Sequence, residues 1–137
     1  MADLPKLIAG LKNQDWQERF DTIFILAQMG GMGKAAVPAL ISVLTDVDML
    51  LRKMAAVALG AIGPDARPAV PALTDVLLHD EEPSVRRLAA VALGQIGVQE
   101  ALPAMEQASE EDEDDDVRET AAEALAEIET LRTRAAA

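Results

Sequence analysis

The sequence predicts an all-α protein, an array of about four stacked helix pairs, on the strength of two independent registers. The nonamer AAVALGQIG at Ala89–Gly97 occurs almost unchanged as AAVALGAIG at Ala55–Gly63, with looser copies at Thr22–Gly30 and Ala121–Glu129. Aligning Met29, Ile62, Ile96 and Ile128 gives steps of 33, 34 and 32 residues. A second phrase keeps the same beat with different residues: Pro5, Pro38, Pro71 and Pro103 stand 33, 33 and 32 residues apart. A fixed period of this length marks a repeat array, in which each unit buries its apolar face against its neighbours. The units are about 1–33, 34–66, 67–98 and 99–132 in a single domain over 1–137, with 133–137 expected to fray.

The first helix is predicted over Leu4–Lys12, where Leu4, Leu7, Ile8 and Leu11 take the i, i+3, i+4, i+7 spacing of one helical face. Pro5 suits an early helical position, where its missing N–H costs nothing. The phrase recurs as VPALISVL at Val37–Leu44, VPALTDVLL at Val70–Leu78 and LPAMEQA at Leu102–Ala108. These proline-started helices alternate with helices that carry the nonamer.

Each nonamer-type helix has an arginine three residues before its first aligned position: Arg19, Arg52, Arg86 and Arg118. Asn13, Asp46, Asp80 and Asp112 stand six residues before those arginines, and Asp15, Asp48, Glu82 and Asp114 four before. Such side chains cap the free N–H groups of a first turn, and carboxylates there oppose the helix dipole. The arginines then have carboxylates of their own or the neighbouring turn within reach, which predicts a structural ladder of Asp and Arg along one ridge. Gly30, Gly63 and Gly97 end the helices with left-handed caps. The last copy has Glu129 instead, so its helix should run on through Leu131 and Arg132. The predicted core set is Leu40, Val43, Leu44, Ala55, Ala58, Leu59 and Ile62, repeated as Leu73, Val76, Leu77, Ala89, Ala92, Leu93 and Ile96.

Composition narrows the function. Twelve Lys plus Arg against 24 Asp plus Glu give a net charge of −12, a field that repels nucleic acid phosphate and anionic lipid. A basic or neutral partner fits better. There is no cysteine, hence no disulfide and no thiolate chemistry. No stretch approaches ~18 consecutive apolar residues, and the start lacks a secretory pattern, so a soluble cytoplasmic protein is expected.

The turn reading Asp…Val-Arg, then Ala-Ala…Ala-Leu-Gly…Ile-Gly, then Pro-Ala, is carried by Asp80, Val85, Arg86, Ala89, Ala92, Leu93, Gly94, Ile96, Gly97, Pro103 and Ala104. It resembles the short HEAT-like repeats named after phycobilisome lyases, over nearly the whole chain. The resemblance implies a right-handed α-solenoid of HEAT-like or armadillo type, with nonamer-type helices on the convex side and proline-started helices lining the concave side. It does not imply one function, because such arrays occur in chromophore lyase subunits and in scaffolds.

Few residues offer chemistry. The only histidine, His79, precedes Asp80 at the end of a proline-started helix, where a solvated or capping role is expected. One HEAT-like family builds a di-iron hydroxylase from repeated His-Glu pairs, and this sequence has no such pair. In the acidic run Glu110–Asp116, the residues Asp112, Asp114 and Asp116 have the spacing that opens a calcium loop, but Val117 stands where that loop needs glycine. A solvated turn is expected there, with no catalytic, cofactor or metal site.

The better clue is apolar. Nonamer-type helices carry Met54 and Val57, then Leu88 and Val91, at two outward positions that Asp21 and Phe24 occupy in the first unit and Thr120 and Glu123 in the last. An apolar stripe on that face predicts an interface with another protein, or a homodimer through the convex side. On the other helices Ile8, Ile41 and Thr74 form a smaller row facing a concave groove, with Asp75 and Glu106 beyond. The function expected is a non-catalytic protein-protein interaction scaffold without cofactor, binding a protein rather than nucleic acid or membrane. The alternative is a bilin lyase or isomerase subunit that acts with a partner chain.

Overall fold

A computed structural model describes residues 4–136, and no strand occurs among them. Eight α-helices follow one another: α1 Leu4–Gly10, α2 Trp16–Met29, α3 Val37–Val43, α4 Met49–Ile62, α5 Val70–His79, α6 Pro83–Ile96, α7 Leu102–Glu111 and α8 Asp115–Ala136. Within each pair a short acidic turn joins a proline-started helix to a nonamer-type helix. Between pairs the chain runs through 3₁₀ segments at Gly30–Ala36, Gly63–Ala69 and Gln99–Ala101. The architecture is an all-α solenoid of four helix pairs.

The acidic turns are built by the residues predicted to cap them, with a division of labour. Asn13, Asp46, Asp80 and Asp112 each accept the backbone N–H two residues on, at 2.8, 2.8, 3.0 and 2.9 Å. Asp15, Asp48 and Asp114 then accept the N–H groups of the first helical turn, as at Leu50 (2.8 Å) and Leu51 (3.3 Å). Glu82 makes no such bond. The Val85 N–H donates instead to the Glu82 backbone carbonyl, at 3.1 Å.

All three predicted terminal glycines have positive φ: +54° at Gly30, +80° at Gly63 and +76° at Gly97. Only Gly97 makes the expected left-handed cap, its N–H donating to Leu93 O at 3.0 Å. At Gly30 and Gly63 ψ is −136° and −144°, which turns the chain into the long 3₁₀ segments instead. Helix α1 stops at Gly10, two residues early. Leu11 and Lys12 close i→i−3 bonds at 3.2 and 3.1 Å. Helix α8 continues past Glu129 as expected and is helical to Ala136; Ala137, the last residue of the tail expected to fray, lies outside the described residues.

Every residue of the predicted core set is buried, Leu40, Leu59, Leu73 and Leu93 completely. The cluster is continuous from Leu11 to Ile128, as nearest-neighbour stacking requires. The nonamer-type helices form the tight row. Helix α4 packs along its length against α2 and α6, and α6 against α8, whereas α5 and α7 touch only briefly. Small residues permit the close approach: a Cβ on Gly60 would lie 3.0 Å from Ala92 Cα, and one on Gly94 3.0 Å from Ala124 Cβ.

Spacing decides which side is inner. In a bent stack the widely spaced row lies outside, so the proline-started helices are outer and the nonamer-type helices inner. This reverses the convex and concave sides implied by the resemblance. The apolar segment Trp16–Val43, with a mean hydropathy of 1.4 over its best window, is not one helix. Gly30 breaks it, its pieces α2 and α3 have 14 and 7 residues, and Ile23, Leu26 and Leu40 face the core. Spanning a bilayer takes about 20 helical residues.

Candidate functional site

The Asp–Arg ridge locks adjacent repeats at two junctions. Arg52 Nε and Nη2 donate to Asp80 Oδ2 and Oδ1 at 2.9 and 3.1 Å, while Nη1 donates to the Asp46 carbonyl at 2.9 Å. Arg86 repeats the pattern on Asp112, at 2.9 and 3.0 Å, with Nη1 on the Asp80 carbonyl at 2.8 Å. Each guanidinium thus clamps its own turn by the backbone and the next turn by a bidentate carboxylate.

The clamps are largely removed from solvent, with side-chain exposures of 9% and 7% for Arg52 and Asp80 and 12% and 8% for Arg86 and Asp112. Hydrogen bonds to Asp80 and Asp112, with the nearby carboxylates, hold the two guanidinium groups above their ordinary range despite burial. At Asp112 burial pushes the carboxyl up. The Arg86 hydrogen bond, the Asp114 N–H and the charges of Arg86 and Arg118 outweigh it, and the net shift is downward.

The four-rung ladder is corrected at both ends. Arg19 Nη1 donates to the Asn13 carbonyl at 2.9 Å, but Arg19 makes no ion pair with Asp46, and its buried Nε has no partner among the described residues. Arg118 Nη1 bonds the Asp112 carbonyl, and its Nη2 turns back to Asp115 in its own turn. On the opposite edge Lys34–Asp65 (4.0 Å) and Arg67–Glu100 link successive repeats, but these pairs are exposed and add little.

The acidic run is engaged in the fold. Asp112 holds Arg86, and Asp114 caps α8. Among the described residues no group of three or more His, Asp or Glu is arranged to hold a metal ion. His79 is exposed beside that ridge.

The outward apolar stripe is uneven. Phe24 is 48% exposed, but Met54, Val57, Leu88 and Val91 are half-buried, and Met54 and Leu88 pack against the core. Helices α4 and α6 are flanked on both sides, so their outward positions roll against neighbours, whereas α2 has one such neighbour. Ile8 and Ile41 are also half-buried and packed on the core, so the row on the proline-started helices offers little free apolar surface.

Exposed apolar surface collects instead at the start of the inner row. Trp16 and Phe20 stack with centroids 5.2 Å apart and planes 15° from parallel, and Trp16 Nε1 donates to Asp48 Oδ2 at 3.0 Å across to the next repeat. Phe24 continues that face one turn on. Across the turn Met49 and Leu50 are 41% and 37% exposed. Of this group the sequence reading singled out only Phe24. The i, i+4, i+8 spacing of Trp16, Phe20 and Phe24 places all the aromatic residues of the chain on one face and was signal enough.

The model of HEAT repeats matches residues 4–78 and 70–137. No curated protein matches the chain. Among solved structures, human deoxyhypusine hydroxylase in complex with glycerol is similar, with 35% identity and a TM-score of 0.78 over 96% of this chain and 45% of the hydroxylase. An engineered protein is similar at 27% identity and TM-score 0.72, over 93% of this chain and 63% of that one. A designed armadillo repeat protein in complex with the peptide (KR)4 shares the fold, at 21% identity and TM-score 0.76 over 92% of this chain and 64% of that one. The chain thus spans between about half and two thirds of the proteins it resembles. With its period, its capped turns and its stacked pairs all accounted for, the chain belongs to the family of HEAT repeats.

Proposed function

We propose that this chain is a non-catalytic scaffold that binds another protein through the inner row of helices, with the aromatic face of α2 and the start of α4 as its anchor. The observation that carries the proposal is the exposure of Trp16 and Phe24 on one face of α2, with the half-buried Phe20 stacked on Trp16 between them, beside Met49 and Leu50. Aromatic residues give large, rigid contact area and dominate the binding energy of interfaces. The exposed parts of Trp16 and Phe24 add nothing to a monomer's core. The repeats are of the phycobilisome-lyase type by the turn and nonamer residues around Asp80, Arg86 and Gly94.

The likeness to the hydroxylase does not carry its chemistry across. This chain spans 45% of that protein and has a single histidine, which is exposed and followed by an aspartate already committed to Arg52. A scaffold needs only a rigid face, which stacking supplies.

The test is affinity capture from the native host with the wild-type chain and with a Phe24→Glu, Val57→Glu double variant, alongside light scattering for self-association. The helical signal should survive in the variant, while the captured partner or the dimer is lost. Equal capture and equal mass for both proteins would refute the proposal.

A further inference from the structure

The inner face changes character along the array. One row of aligned outward positions reads Phe20, Lys53, Arg87, Glu119, and the adjacent row runs from Phe24 through two half-buried valines to Glu123. The face is therefore aromatic on α2, with the exposed Asp21 at its edge, cationic in the middle and acidic on α8. Arg87, Glu119 and Glu123 are exposed, and among the described residues neither Lys53 nor Arg87 makes an ion pair. Arg52 and Arg86 of the ridge, by contrast, are each tied to a carboxylate of the next repeat. Segregated charges on one surface select partners and their orientation more than they add raw affinity.

Taking the scaffold reading above as its basis, we propose that the partner is a segment of another protein with a fixed order of chemistry: an aromatic or aliphatic anchor, then carboxylates, then basic side chains. The anchor sits against Phe20, Phe24 and the Trp16 ring, the carboxylates face Lys53 and Arg87, and the basic end meets Glu119 and Glu123. Adjacent packed helices lie about 8–10 Å apart, so three steps from α2 to α8 cover roughly 24–30 Å. An extended segment spans that distance with about eight or nine residues. A uniformly basic segment is disfavoured, because it would set like charges over the middle of the face.

The experiment uses three synthetic peptides of about 12 residues, each made in both chain directions. The first carries a Leu-Phe anchor, a Glu block and an Arg block in that order. The second exchanges the two charged blocks, and the third replaces them with Gly and Ser. Trp16 is the sole tryptophan and there is no tyrosine, so its emission reads out occupancy of the anchor directly.

The first peptide should bind at least ten-fold tighter than the second. Glu119→Lys with Glu123→Lys should remove that preference, and Phe24→Glu should abolish binding, with the helical signal unchanged in both variants. Equal binding of the first two peptides, or a preference that survives the charge reversal, overturns the proposal. If the third peptide binds as well as the first and is lost with Phe24→Glu, the scaffold reading stands and the ordered-charge partner falls. If no peptide binds, this inference fails, and the capture experiment with the Phe24→Glu, Val57→Glu variant still decides the scaffold reading.

Discussion

Arg52 grips both carboxylate oxygens of Asp80 in the following repeat, at 2.9 and 3.1 Å, while the Asp80 backbone carbonyl accepts from Arg86, the next arginine of the ridge. Asp80 therefore joins two clamps, one through its side chain and one through its main chain. Stacking in this fold is set by apolar contact, which leaves sliding of one pair over the next weakly opposed. A bidentate bond has one geometry and fixes that register.

Removing one partner leaves a shielded charge without its counter-ion. Asp80→Ala or Arg52→Ala should each cost about 3 kcal/mol, near the lower end for broken buried pairs. The double variant should cost less than the sum. Urea unfolding of the four proteins in a double-mutant cycle measures the coupling, and purely additive losses would show that the pair does not act as a unit.

The second clamp makes stability depend on acid. The Asp112 carboxyl is held below its ordinary range in the folded chain, so its contribution is fully present above the unfolded value of about 3.9 and is lost as pH falls through the folded value. Arg86 stays charged throughout, its guanidinium being held upward by the hydrogen bond to Asp112. Asp112→Asn should be less stable than wild type at pH 5 to 7, and the deficit should shrink below about pH 4. Melting curves across that range check it, and a deficit independent of pH would remove the ionised carboxylate from the account.

Close approach of the inner helices makes a different demand. At Gly60 a Cβ would stand 2.1 Å from Gln95 Oε1 and 3.0 Å from Ala92 Cα; the glutamine can swing away, but the backbone of α6 cannot without parting the repeats. Gly60→Val should destabilise by about 1–3 kcal/mol from overpacking, although valine improves on glycine in helix propensity. A Cβ on Gly94 would stand 3.0 Å from Ala124 Cβ and 3.4 Å from Ala124 Cα, neither of which can move without shifting α8, so Gly94→Ala should also lose stability, though less than Gly60→Val. Denaturant midpoints compare the two. A stabilised Gly60→Val would mean that the row has room to spread.

The same close approach explains what the sequence could and could not reveal. The helix pairs, the capping turns and the positive φ at Gly30, Gly63 and Gly97 follow from local residue chemistry, and all were legible. The 3₁₀ segments were not. GGMGKAA at Gly30–Ala36 and GPDARPA at Gly63–Ala69 carry no apolar periodicity, and Pro64 and Pro68 have no N–H to reveal a bonding pattern. Val57 and Val91 read as outward residues and are half-buried. Their half-burial depends on how α4 and α6 are wedged between neighbours, a tertiary distance that Gly60 and Gly94 set. The Arg19 rung looked like its copies and differs from them, because the alignment of residue types does not report the placement of Asp46.

Asp48 ties the anchor to the fold and allows the two to be separated. Its Oδ1 caps α4 through the N–H groups of Leu50 and Leu51, at 2.8 and 3.3 Å, and its Oδ2 accepts from the Trp16 indole at 3.0 Å. Asparagine keeps one acceptor oxygen, which the cap retains, and turns an NH2 toward the indole N–H, where two donors meet. Asp48→Asn should therefore change stability by only a few tenths of a kcal/mol while shifting Trp16 emission and weakening partner binding. Asp48→Ala loses cap and indole bond together and should cost about 1–2 kcal/mol. Emission spectra and urea midpoints on the two variants discriminate the roles. If the Asn variant leaves the Trp16 spectrum and the affinity unchanged, the indole bond does not orient the anchor, and the stack on Phe20 alone holds the ring in place.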